Sequence, residues 1–186
     1  VAAFRLEDAE TPVVLMGYLN PIEAMGYEAF AEQASLSGVD GLITVNLPPE
    51  EAGPLAMALQ EKEIDPIYLL APTTTDARAV AVCQASRGFV YYVSLKGTTG
   101  SGSLDIKAVC ERVAHLKAKT PLPLFVGFGI KDGATAAPIA EVADGVVVGS
   151  AIVTLMGEFE ASPQALKLAV IELVRDIRTA LNASNP

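Results

Sequence analysis

Short apolar runs of strand length alternate along this chain with longer stretches of helical period, and few folds accommodate that alternation. Runs at 12–16, 41–45, 66–70, 88–94, 122–126 and 144–148 read as strands, and 27–36, 49–62, 76–86, 104–118 and 133–142 read as helices between them. Two further helices are expected at 151–157 and 163–181. A helix inserted between two strands carries the chain back along the sheet, so consecutive strands run parallel with helices covering them. The reading is an α/β fold of about six βα units. At 186 residues the chain suits one domain, spanning 1–186, with a sizeable core.

Several boundaries carry their own signal. In Pro48-Pro49-Glu50-Glu51, proline suits a first helical turn that needs no N–H, and carboxylates suit the positive end of the helix dipole, so a helix is expected to begin there. Ser162-Pro163 opens the last helix in the same way, and Leu166, Ala169, Ile171, Val174, Ile177 and Leu181 draw an apolar stripe that should pack against the domain. The tail 182–186 lacks the pattern and is expected to fray. Residues 1–10 look helical but have no strand before them, so a barrel built from this chain would be incomplete, with two bare sheet edges.

Composition narrows the function classes. Hydrophobic residues make up 51% of the chain, yet the longest nearly uncharged run, 145–157, falls short of the ~18 residues that span a bilayer. Thirteen Lys and Arg against 22 Asp and Glu give a net charge of -9, which opposes docking onto nucleic acid or an anionic membrane. Cys83 and Cys110 lack metal-ligand spacing and no leader precedes Val1, so a cytoplasmic protein with two free thiols is expected. One histidine, His115, cannot build a multi-histidine metal site, and no serine or cysteine beside it suggests a triad. No metal site is expected on these residues.

The chemistry gathers in two glycine-punctuated segments, Phe125-Val126-Gly127-Phe128-Gly129-Ile130 and the stretch from Asp144 through Gly149-Ser150 to Val153. Glycine where a strand ends lets the backbone approach a ligand closely, and the first N–H groups of the following helix have no internal partner and carry partial positive charge. Two such turns on consecutive strands can hold one phosphate, as at the C-terminal face of a (β/α)8 barrel.

The segments Leu15-Met16-Gly17-Tyr18-Leu19-Asn20-Pro21, Val45-Asn46-Leu47-Pro48-Pro49-Glu50-Glu51, Leu70-Ala71-Pro72-Thr73-Thr74, the run from Gly88 to Gly100 containing Tyr91-Tyr92-Val93-Ser94, Gly127-Phe128-Gly129-Ile130 and Gly149-Ser150-Ala151-Ile152-Val153 stand one at each strand end. In that order they resemble the tryptophan synthase α subunit over nearly the whole chain. The resemblance implies a TIM (β/α)8 barrel, here its C-terminal portion without the first two strands. The implied activity is a lyase reaction of tryptophan biosynthesis, the retro-aldol cleavage of indole-3-glycerol phosphate to indole and glyceraldehyde 3-phosphate. Backbone amides near Gly100, Gly129, Gly149 and Ser150 would hold the phosphate. Leu15, Tyr18, Ile43, Val45, Leu69, Tyr91, Phe128 and Val147 would line the indole pocket, and the Ser94–Ser103 segment, rich in Gly, Ser and Thr, would close over it with Thr99 engaging a catalytic carboxylate. The implied partner is a β subunit that carries its own pyridoxal phosphate, facing the loops at Asn20-Pro21 and Leu47-Pro48. Bare sheet edges add an expectation of self-association.

Cleavage needs a group to take the hydroxyl proton and protonate the indole carbon, and an anion to steady charge on the indole nitrogen. The family supplies carboxylates from a Glu-Leu-Gly-x-Pro-Phe-Ser-Asp-Pro segment and an Ala-Asp-Gly-Pro loop, and neither pattern occurs in this sequence. By the resemblance both would lie upstream of Val1. Asn46 stands where the family motif has Asp, keeping the shape without the charge. The alternative expectation is a non-catalytic domain of this type that binds phosphate or a partner.

Overall fold

The computed structural model describes all residues except 95–105, Phe128 and 185–186. Its elements run α1 (Ala2–Arg5), β1 (Val14–Gly17), α2 (Leu19–Met25), α3 (Tyr27–Leu36), β2 (Gly41–Thr44), α4 (Gly53–Glu61), β3 (Asp65–Ile67), β4 (Leu69–Leu70), α5 (Asp76–Ala85), β5 (Val90–Val93), α6 (Ile106–Lys117), β6 (Leu124–Gly127), α7 (Gly133–Ala140), β7 (Gly145–Val147), α8 (Ser150–Glu158) and α9 (Pro163–Ser184). All six expected strands are present, the third broken at Tyr68 into β3 and β4. The α/β architecture with parallel strands is the one anticipated.

The described chain groups into two compact units, residues 1–69 with 75–90, and residues 70–74 with 91–186. In the first, β1, β2 and β3 form a parallel sheet in that order, with Val14 opposite Gly41 and Gly41 opposite Asp65. Every residue of the central strand β2 is buried, as expected for a parallel strand covered on both faces. Its core is completed by Leu55 and Leu59 of α4 and Ala79 of α5. Arg5 ties α1 down: its guanidinium pairs with Asp40 and donates to Gly38 O at 2.8 Å and Thr11 O at 2.7 Å.

The other sheet, most of whose residues belong to the second unit, has the order β4-β5-β6-β7, with β6 and β7 parallel. Val126 of β6, Val113 and Leu116 of α6 and Ile139 of α7 are fully enclosed. Helix α7 packs most extensively on α9.

Four expectations need correction. Helix α4 begins at Gly53, not at 49. Pro48 and Pro49 instead sit in a turn whose carbonyls accept from Glu51 N at 3.0 Å and Ala52 N at 3.3 Å, and Pro54 is the first-turn proline. Glu50 therefore serves as an ion-pair partner of Arg78 at 2.9 Å, not as a first-turn carboxylate. Helix α9 continues to Ser184, so 182–184 are helical. On α9, Ile177 is buried but Ile171 and Val174 are exposed, since Leu173 shares the inward line with Ile177. Finally, α2 was not among the expected helices, and Pro21 occupies its first turn.

Candidate functional site

The described site residues lie in the strands or within a few residues after them, and each unit holds its own group. In the first unit, Leu15 lies within β1, Ile43 within β2 and Leu69 in β4; Tyr18 caps the start of α2 and Val45 follows β2. The ladder closes at Gly17 opposite Thr44, and Val45 N–H then donates to Gly17 O at 2.9 Å. Ile43 is buried, whereas Tyr18 is 62% exposed. Val45 and Leu69 share a cavity of about 320 Å³ with Thr44, Asn46, Tyr68 and Arg78. Its lining mixes aromatic, aliphatic and polar groups.

The second unit holds Tyr91, Val147, Gly129, Gly149 and Ser150. Tyr91, in β5, is almost fully buried, and burial pushes its phenol pKa up, so it stays neutral. Its ring lies against Gly127 of β6, where a methyl group would overlap it. Thr99, Gly100 and Phe128 fall outside the described residues, as does the Leu95–Ser103 part of the proposed lid.

The two glycine turns differ. Gly129 has φ +79°, a left-handed conformation that asks for glycine. The helix after it, α7, is already satisfied at its start: Asp132 accepts from Thr135 N at 2.8 Å in a capping box, and Asp176 from α9 accepts from Gly133 N at 2.7 Å. The Thr135 bonds hold the Asp132 carboxyl below the usual range. Gly149 is the reverse case. Its φ of -123° suits any residue, and a methyl group there would meet nothing within 4 Å. It caps α8 with no side chain of its own, and the N–H groups of Ser150 and Ala151 have no hydrogen bond among the described residues. Helix α8, of nine residues, thus presents an open, uncapped N-terminus at the end of β7, which is the electrostatic form of an anion cradle.

The remaining titratable groups look structural. Asp144 precedes β7, accepts from Leu124 N at 2.7 Å and pairs with Lys117; burial pushes its pKa up, but these bonds outweigh it and leave the value lowered. Cys110 donates to Pro138 O at 3.3 Å, and burial followed by Glu141 raises its pKa, so it is a poor nucleophile. No group of three His, Cys, Asp or Glu among the described residues could hold a metal, and no described helix is long and apolar enough to cross a membrane. Asn46 is the residue whose geometry sequence reasoning missed: its side chain accepts from Leu19 N at 2.8 Å, a contact between residues 27 apart that no local pattern records.

Comparison with known proteins identifies the family. The family profile described as tryptophan synthase alpha chain matches residues 1–182. The tryptophan synthase alpha chain of Thioalkalivibrio sulfidiphilus is 56% identical over 182 residues, covering 98% of this chain and 68% of that protein. The crystal structure of the alpha chain from Legionella pneumophila superposes with a TM-score of 0.86 at 43% identity, covering 99% of this chain and 68% of that one. A structure of the tryptophan synthase a2b2 complex from Pyrococcus furiosus gives 0.84 at 35% identity, over 96% and 71%. These solved relatives are TIM barrels, and this chain spans about 68% of the length of the first relatives it matches. The chain belongs to the tryptophan synthase alpha chain family.

Proposed function

We propose that this chain serves tryptophan biosynthesis as the phosphate- and indole-binding part of a lyase that cleaves indole-3-glycerol phosphate by a retro-aldol step. The observation that supports this best is the open start of α8 behind Gly149, in a family whose members act in that pathway. The phosphate is assigned to the Gly129 and Gly149-Ser150 turns and to Gly100. The indole is assigned to Leu15, Tyr18, Ile43, Val45, Leu69, Tyr91, Phe128 and Val147, with Thr99 in the lid.

The reaction asks for two carboxylates, and this sequence contains neither of the family's acidic motifs. Glu50 is engaged by Arg78 and Asp144 by Lys117, so neither is placed for the task. The chain by itself therefore binds without cleaving. The Pyrococcus relative is described in an a2b2 complex, which supports a β-type subunit as partner here, approached by Asn20-Pro21, which form the start of α2 and not the expected loop, and by the turn at Leu47-Pro48. Self-association through exposed sheet edges is a further part of the proposal, since β1, β3, β4 and β7 each border only one strand within their own sheets. Light scattering at micromolar concentration tests it: a single monomeric species would count against it.

The test of the binding reading is calorimetric titration with glyceraldehyde 3-phosphate and with indole. Saturable binding of both, with the phosphate ligand lost on Gly149→Val, supports it. A titration with no heat for either ligand, in a folded sample, would remove it.

A further inference from the structure

The Asn46 side chain spans two strand ends. Thr44 O accepts from Leu47 N at 3.4 Å, placing Val45 and Asn46 in the middle of a tight turn at the end of β2. From there the Asn46 Oδ1 reaches the neighbouring strand's exit and accepts from Leu19 N at 2.8 Å. Leu19 is the first residue of α2, and the helix's own N-cap, Tyr18, makes no side-chain capping bond. A helix start leaves its first N–H groups without internal acceptors, so Asn46 supplies from β2 what Tyr18 does not supply locally. Tyr18 is then fixed on both sides: Gly17 O accepts from Val45 N–H at 2.9 Å, and Leu19 N–H is held by Asn46. Its extended backbone, φ -95° and ψ 157°, is the link between those two bonds.

We infer that Asn46 is a positioning residue for the indole pocket, holding the Tyr18-Leu19 turn through its neutral amide oxygen and so fixing the direction of the exposed Tyr18 ring. This rests on the functional reading above only where it names indole. An acceptor is what the position requires, and a carboxylate satisfies the same bond. Asn46 therefore makes this contact without carrying a charge. The competing explanation is that Asn is present only because asparagine suits tight turns.

Three variants of the chain separate these explanations. Asn46→Gly keeps a turn-forming residue and removes the acceptor, Asn46→Asp keeps both, and Asn46→Leu keeps the size and removes both. Two signals are read by NMR in the free protein: exchange of the Leu19 amide and the ring resonances of Tyr18. Titration with indole gives the third. The expected result is Leu19 exchange faster by about tenfold in the Gly and Leu variants, the scale of a lost helix-start acceptor. Tyr18 resonances should shift and indole affinity fall in the same two variants, with Asn46→Asp close to the parent in all three readouts. Unchanged Leu19 exchange and Tyr18 resonances in Asn46→Gly would overturn the inference. If the parent binds no indole, the functional reading fails, and the Leu19 and Tyr18 signals alone decide the part played by Asn46.

Discussion

Gly127→Ala is a severe substitution for one methyl group, and the reason is the ring across the strand. A Cβ built on Gly127 lies 2.6 Å from the Tyr91 Cζ, with the Cε2 and Oη nearer still. Tyr91 is 3% exposed and its ring has no solvent side to move into. Alanine offers a small gain from a less flexible unfolded chain, about 0.4–1 kcal/mol where the native backbone accepts it. Overpacking of a filled interior costs about 1–3 kcal/mol, so the clash wins and the net loss is about 1–2 kcal/mol. Because the overlap includes a ring carbon as well as the hydroxyl, Tyr91→Phe should relieve little of it. Tyr91→Leu, which removes the ring, should relieve most. Urea denaturation of the single and double variants gives the coupling, provided the slope with denaturant stays constant. An additive cycle, or full recovery with Phe, would refute the packing argument. Since Tyr91 is also assigned to the indole pocket, Gly127→Ala should weaken indole binding along with stability.

Gly149→Ala should do the opposite: with open space at its Cβ and an ordinary φ, stability changes by about 0.5 kcal/mol or less. A larger side chain there, as in Gly149→Val, should abolish phosphate-ligand binding in calorimetry while the denaturation midpoint holds. The Asp144 carboxyl, lowered in the folded state, contributes stability that is full above its unfolded value near 3.8 and is lost as pH falls through its folded value. Asp144→Asn should therefore flatten the acid limb of the stability curve below pH 4, measured by circular dichroism. Breaking the exposed Arg78–Glu50 pair with Glu50→Gln should cost about 0–1 kcal/mol, less still in high salt.

Much of the fold could be read from the chain because its signals are local. Tyr27–Leu36 forms over its expected span, and β2 and β6 fall within a residue or two of theirs. The starting proline of α4 was misplaced because three prolines precede or open that helix, and nothing in sequence says that Pro48 and Pro49 spend their carbonyls on a turn. The α9 stripe was half right: a 3.6-residue period fits both the Leu173–Ile177 line and the Ile171–Val174 line, and only tertiary packing chooses between them. At the candidate site the glycines were legible as strand-end turns, but not that α7 is closed by Asp132 and Asp176 while α8 is open. Asp176 stands 43 residues from Gly133, and Asn46 stands 27 from Leu19. Contacts of that separation follow from how the strands and helices pack, not from any motif.

The most direct test offers this chain indole-3-glycerol phosphate and follows indole release in the same sample in which ligand binding is measured. The account predicts saturable binding with no indole above the uncatalysed background. Release at the rate of an intact alpha chain would contradict it, because a carboxylate pair able to carry the reaction would then have to exist among these 186 residues.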